Sequence, residues 1–208
     1  MTQSRPGGSR VMTPMDPDDE RPLVAGLRAG DAAAFDEVYD AYRPRVFAFL
    51  LRMSRSRTVA EDLLDETWLR LVQHAHGLRP DTRLGPWLFT VARNLYWSHR
   101  RSSLVEEASV PALLGLWPFP APWPSPFDLA AAGELQRRVE RALAALSPQH
   151  REVLLLVGHE GLTPTDAAAV CGITADALRQ RLSRARAALA EQLAATPAVA
   201  TFTKRYAT

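Results

Sequence analysis

Gly161–Leu193, GLTPTDAAAVCGITADALRQRLSRARAALAEQL, decides how this chain reads: two helices joined by a tight turn, the second loaded with arginine. Thr163 suits an N-cap, Pro164 the first helical position, and Asp166 a capping-box-like closure. The helix they open carries Ala167, Ala168 and Val170 and runs into Cys171–Gly172, where glycine takes the left-handed conformation that ends a helix. Thr174 caps again, and a long helix follows from Ala175. On it Leu178, Leu182, Ala185 and Leu189 fall on one stripe at helical spacing, so that stripe packs.

The face opposite the stripe shows Asp176, Gln180, Ser183, Arg184 and Ala187, with Arg179, Arg181 and Arg186 on its flanks. Small and hydrogen-bonding side chains at the centre suit base edges in a major groove, and flanking guanidiniums suit phosphates on either side. A solvated basic face on an ordinary helical hairpin is the plainer reading of a charge run. The turn glycine, double capping and centred polar face arrive together here, and that combination favours DNA reading.

Working outward, 208 residues with 47% hydrophobic content hold one large or two small cores. The net charge is only +2, so nucleic-acid binding has to come from local patches. Lys204 is the sole lysine; a bias to arginine carries no functional weight by itself. The single cysteine, Cys171, excludes an internal disulfide or a cysteine-cluster zinc site and reads as a small core residue. No apolar run approaches a membrane span and no signal peptide is evident, so a cytoplasmic protein without membrane insertion is expected.

Residues 1–20, rich in Pro, Gly, Ser and Asp, offer almost nothing to bury and read as a disordered arm. Residues 21–101 read as consecutive helices without strand alternation. Asp31 caps a run bearing Phe35, Val38, Tyr39, Tyr42, Val46, Phe49 and Leu50, with Pro44 as a point of kinking. A helix over 58–76 stripes Leu63, Leu64, Thr67, Trp68, Leu71 and Val72 and carries Glu61, Asp62, Asp65 and Glu66 on its other face. A third, from Pro86, bears Trp87, Leu88, Val91, Leu95 and Tyr96, with Arg93, Asn94, Ser98, His99, Arg100 and Arg101 on its polar side. These stripes imply a compact helical bundle. The acidic face attracts a basic protein surface and the Arg/Asn face attracts nucleic acid. Either is equally well a solvated helix face on its own.

Residues 102–127 are a proline-rich linker without a basic residue, unusually apolar through Leu113, Leu114, Leu116, Trp117, Phe119 and Trp123. From Asp128 a helix with Leu135, Val139, Leu143 and Leu146 leads to a second opened by Ser147–Pro148, then to the helix-turn-helix, closing a domain over 128–195. Residues 196–208 form a tail without a clear pattern. The fold class is therefore all-α: two small helical domains joined by a proline-rich linker. The histidines lack a carboxylate or thiolate cluster at ligand spacing. Neither a phosphate-cradling loop nor a nucleophilic triad is legible, so no metal, cofactor or enzymatic activity is expected.

Four stretches carry a family resemblance: Ala29–Arg52 (AGDAAAFDEVYDAYRPRVFAFLLR), Ala60–Val72 (AEDLLDETWLRLV), Trp87–Arg101 (WLFTVARNLYWSHRR) and Leu146–Leu189. In order and spacing they resemble RNA polymerase sigma factors of the extracytoplasmic-function type, the small two-domain members of the sigma-70 family. The resemblance implies a promoter-specificity subunit that binds core RNA polymerase, reads −35 and −10 elements and starts transcription. It implies that Asp62, Asp65 and Glu66 dock on the polymerase, although the family usually has glutamine at Asp65. It places Asn94 at a flipped −10 base, with the loop from Arg79 to Gly85 lining the pocket and Arg83, Arg93, Arg100 and Arg101 on the same DNA. It assigns −35 reading to Arg179, Gln180, Ser183 and Arg184, with Arg181 nearby on the backbone side. An anti-sigma factor is the further partner it implies. A stand-alone helix-turn-helix regulator, and a scaffold that merely binds a regulator, are the alternatives.

Overall fold

The computed structural model describes residues 17–109 and 133–195, and among them every regular element is helical. In chain order these are α1 (Pro17–Ala29), α2 (Ala32–Ser54), α3 (Arg57–His74) and α4 (Leu84–Ser109), then α5 (Glu134–Ala145), α6 (Pro148–Leu154), α7 (Pro164–Cys171) and α8 (Ala175–Ala195). A 3₁₀ turn, Ala75–Gly77, follows α3, and a π turn, Leu155–His159, extends α6.

The first four helices form one bundle. Asp31 caps α2 by accepting from the Ala33 amide at 3.0 Å, as its sequence position predicts. The helix then runs unbroken through Pro44, whose missing donor falls on an exposed face. Val38, Tyr42, Val46, Phe49 and Leu50 are all buried, and on α3 so are Leu63, Leu64, Thr67, Trp68 and Leu71. Val72 departs from its expected stripe and stays 55% exposed, because it falls on the same helical edge as the exposed Asp65 and Leu69. On α4 the core residues are Leu84, Leu88, Phe89, Ala92 and Tyr96, one helical step away from the expected Val91 and Leu95, which are only partly covered. At Gly26 a Cβ would lie 2.5 Å from the Ala34 Cβ, so α1 and α2 approach each other as only glycine permits.

The expected disordered arm over 1–20 is corrected at its end. Pro17–Glu20 form the first turn of α1, and Glu20 is buried. Its carboxylate accepts from the Tyr42 hydroxyl and, at 3.0 Å, from the Leu84 amide, thereby capping α4 from a distant helix. Composition pointed to disorder because an acid in the run Asp16–Glu20, with Asp18 and Asp19 beside it and prolines on either side, shows no apolar partner. The rest of that arm, residues 1–16, lies outside the described residues.

The linker expectation is also corrected at its start, since α4 continues to Ser109 rather than stopping near Arg101. The remainder of the linker, the Asp128 cap and the tail over 196–208 lie outside the described residues. In the second domain α5 begins at Glu134, and Leu135 is 71% exposed where a core position was expected. Val153, Leu155 and Leu156 of α6 and its π turn pack against Leu178, Leu182 and Ala185 of α8 in one apolar core. That core is continuous with the first bundle: α4 lies along α7, and α2 meets α6.

Candidate nucleic-acid interface

The helix-turn-helix forms as its sequence dictates. Thr163 Oγ1 accepts from the Asp166 amide at 3.1 Å, Pro164 occupies the first turn, and Gly172 takes φ 64° at the end of α7. Thr174 caps α8 through the Ala177 amide at 3.2 Å. With Leu178, Leu182 and Ala185 buried, Arg179, Gln180, Ser183 and Arg184 are exposed on the outer face, together with Arg186 and Ala187. Arg179 pairs with Asp176 at the start of the helix, an exposed contact of little energetic weight that a phosphate can replace. Arg181 stands apart from this set. It is half-buried and turned towards the first domain, where it lines an interdomain cleft.

That cleft, about 320 Å³, is walled by Arg93, Asn94, Trp97 and Arg101 of α4, by Gln149 and Glu152 of α6, and by Cys171, Ile173 and Arg181. At its floor Glu152 is fully buried. Its Oε1 accepts from Arg93 Nε at 2.8 Å and from Trp97 Nε1 at 2.7 Å. The Cys171 thiol donates to Glu152 Oε2 at 3.6 Å, and burial beside that carboxylate pushes the thiol up to about 12. Asn94 is exposed at the rim and accepts from Arg93 Nη1 at 3.1 Å. A shallower hollow on the other side of Asn94 is bordered by Arg70, His74, Trp87, Ser98 and Arg101. Arg100 is exposed, with its guanidinium 6.0 Å from the Trp97 ring centroid.

Arg83 lies at the other end of α4, just before the helix. Its Nη1 donates to both carboxylate oxygens of Asp166 at 2.6 Å. Of the five residues expected to touch −10 DNA, Arg93, Asn94 and Arg101 therefore share one cleft. Arg100 is beside it, and Arg83 is held separately against α7.

On α3, Asp62 and Asp65 are exposed, and among the described residues neither has an ion-pair partner. Glu66 pairs with Arg70 at 2.7 Å, and the neighbouring Glu61 pairs with Arg57 at 2.8 Å. Leu69 and Val72 are exposed beside them, so the acidic face has an apolar edge.

Sequence reading missed the carboxylates that meet the first domain. Besides Glu152, Glu160 is 1% exposed and accepts from Arg45 Nε at 3.0 Å, while Arg45 Nη2 donates to the Glu160 carbonyl at 2.9 Å. The π turn delivers Glu160 inward, its amide donating to the Leu155 carbonyl at 2.9 Å. A signal existed for Glu152 alone: an acid leading straight into the apolar run Val153–Val157 is out of place on a solvated face. Among the described residues no helix is long and apolar enough to cross a membrane.

Comparison with known proteins agrees with this division of the chain. A family model for sigma-70 region 2 matches residues 38–103, and one for sigma-70 region 4 matches residues 136–189. The RNA polymerase sigma factor CarQ of Myxococcus xanthus is 34% identical over 167 residues, covering 80% of this chain and 93% of that protein. The ECF RNA polymerase sigma factor EcfG of Rhodopseudomonas palustris is 34% identical over 175 residues, covering 83% and 87%. Among solved structures, the sigma factor RpoE of Bartonella quintana, crystallised with the anti-sigma factor NepR, superposes with a TM-score of 0.61 at 27% identity over 78% of this chain and 98% of that one. CnrH in complex with the cytosolic domain of CnrY shares the fold, with a TM-score of 0.63 at 24% identity over 88% and 100%.

Proposed function

The chain belongs to the sigma-70 family, as an extracytoplasmic-function type sigma factor and so a promoter-specificity subunit of RNA polymerase, and from that premise we propose how its residues divide the work. Region 4, residues 128–195, reads the −35 element through α8. Gln180, Ser183 and Arg184 address base edges, and Arg179 and Arg181 address phosphates. The observation that carries this reading is the capped helix-turn-helix, whose outer face presents Arg179, Gln180, Ser183 and Arg184 exposed while its apolar stripe is buried and Arg181 lies half-buried at its flank.

Region 2, residues 21–101, holds the polymerase through Asp62, Asp65 and Glu66 and takes the −10 element on α4. Asn94 receives an extruded base there, and Arg83, Arg93, Arg100 and Arg101 hold the strand around it. Extruding a base costs a few kcal/mol of stacking, which hydrogen bonds and aromatic contact offset. The protein acts in the cytoplasm, as a binding subunit without catalysis of its own. Because RpoE and CnrH were each solved with a protein bound, an anti-sigma factor is proposed as a further partner.

The test is a pull-down of core RNA polymerase with the full chain, followed by run-off transcription from a promoter library. Saturable binding, and start sites sharing two spaced elements, are expected. DNA binding without polymerase binding would replace this reading by a stand-alone regulator.

A further inference from the structure

The loop between α3 and α4 ends on a carboxylate that neither helix supplies. Glu20 of α1 is 4% exposed. One of its oxygens accepts from the Tyr42 hydroxyl of α2, and the other accepts from the Leu84 amide at the start of α4 at 3.0 Å. Tyr42 packs on the following residue as well, since a Cβ at Gly85 would lie 3.4 Å from the Tyr42 hydroxyl. Thus α1 and α2 meet α4 at Leu84 and Gly85, where the loop becomes helix.

We propose that Glu20 is a positioning residue for −10 recognition: it fixes the loop from Arg79 to Gly85 against α4, so that the pocket wall keeps its register with Asn94. The proposal rests on the reading of that loop as the wall of the −10 base pocket. Asn94 rides on α4, and the leading amides of a helix have no partner inside it, so an unsatisfied first turn frays. With the Leu84 amide tied to Glu20, the loop end and Asn94 move as one body. At the other end of the loop Leu78 is buried, and its amide donates to the Ala75 carbonyl at 3.2 Å. Between these anchors the exposed stretch closes on itself. Arg79 forks onto Asp81 with both bonds at 3.0 Å, and the Thr82 amide donates to the Arg79 carbonyl at 2.9 Å.

A carboxylate suits this place better than packing alone. An apolar group there would leave the Leu84 amide and the Tyr42 hydroxyl buried without a partner. A negative charge also answers the partial positive charge at the start of α4. Burial, and then the bond to Glu20, hold the Tyr42 hydroxyl above the ordinary phenol value, so it stays a donor. Glu20, Tyr42 and Leu84 all belong to the first bundle, and the anchor is therefore independent of where the second domain sits.

The test is open-complex formation by the full chain with core RNA polymerase, on a promoter panel carrying each base in turn at every −10 position. Glu20→Ala should flatten the preference at the base taken by the pocket by about 10-fold, the worth of one good base contact. It should leave the penalty for −35 substitutions unchanged. Glu20→Gln should keep the preference, since its amide oxygen accepts from Leu84 while its NH2 donates to the Tyr42 oxygen. Tyr42→Phe removes one anchoring bond, leaves the ring packed and should flatten the preference in part, which gives the answer where Glu20→Ala does not fold. Leu64→Ala, a buried truncation in the first half of α3, should lower the urea midpoint without changing the preference.

A preference kept by Glu20→Ala and Tyr42→Phe, with activity falling alike on all promoters, would overturn the proposal and leave Glu20 a stabilising cap. Equal flattening by Leu64→Ala would overturn it too, since any weakening of the bundle would then suffice. Arg79→Ala and Asp81→Ala, made within the loop, separate the proposal from the reading beneath it. If they shift the preference while Glu20→Ala does not, only the positioning role falls. If neither they nor Glu20→Ala shift it, the loop is not the pocket wall and that reading falls as well.

Discussion

The two surfaces assigned to DNA are built in opposite ways. On α8 the reading side chains project from a helix whose other face is fully packed, and Gln180, Ser183 and Arg184 are exposed. At α4 two of the four corresponding arginines already have partners, Arg93 on Glu152 and, just before the helix, Arg83 on Asp166, and both partners belong to the other domain. One surface is set by local structure alone, through a capped helix and its stripe. The other depends on where a separate domain sits. A residue's identity as a DNA contact and its availability to DNA are thus distinct properties, and only the first is carried by a motif.

The most severe way to break this contrast is to remove the residue that pins the domains by their backbones. Arg151 donates from Nε to the Leu143 carbonyl at 2.9 Å and from Nη2 to Ala144 and Leu146 at 2.8 and 2.9 Å. Its Nη1 crosses to Arg52 and Met53 of α2 at 3.0 and 3.2 Å. Burial lowers its pKa from the ordinary guanidinium value, and the ring of carbonyls satisfies the charge. Replacing Arg151 by Met leaves several buried carbonyls unbonded and should cost about 3–5 kcal/mol, read as a lower urea midpoint. The loss should be concentrated in the second domain, where three of the five bonds lie. An unchanged midpoint would mean that water replaces the guanidinium.

How much of this was legible in the sequence follows the same line. The helix-turn-helix was readable to the residue because capping and helical stripes act over three or four positions: Thr163, Gly172 and Thr174 do locally what their types imply. The bundle stripes on α2 and α3 were readable for the same reason. Val72 and Leu135 were misread because periodicity shows which face is apolar and cannot show how far a neighbouring helix covers it. Glu20, Arg45 and Glu160 were invisible as structural groups, since their partners lie between 22 and 115 positions away. No window of sequence contains both members. The site residues themselves came from motif order, whereas their tethering is a property of the assembled fold.

A gentler variation compares the two surfaces directly. Arg184→Ala should weaken −35 binding by about 1–3 kcal/mol and relax preference at one base position. It should leave interdomain distances unchanged, since Arg184 faces away from the first domain. Arg93→Ala should do the reverse in the free chain, loosening closure while sparing −35 affinity. Footprinting on a promoter fragment, with the distance measurement beside it, checks both. Equal effects of the two substitutions on both readouts would erase the distinction between an open and a tethered surface.

The smallest effect on stability is expected on α3, which has neither a tethering partner nor a buried charge. Asp62 is exposed and, among the described residues, unpaired, while Glu66 is held by Arg70 across one helical turn. Exposed pairs of this kind contribute about 0–0.5 kcal/mol, so Asp62→Ala and Glu66→Ala should both leave the urea midpoint nearly unmoved. Polymerase affinity should separate them. Asp62 offers its full charge to a basic surface, whereas Glu66 must first give up Arg70, and the freed arginine then repels the same surface. Asp62→Ala should therefore weaken core-polymerase binding more than Glu66→Ala, with Glu66→Ala with Arg70→Ala close to wild type. A larger loss from Glu66→Ala would show that the Glu66–Arg70 pair itself, rather than free carboxylate charge, is what the polymerase recognises.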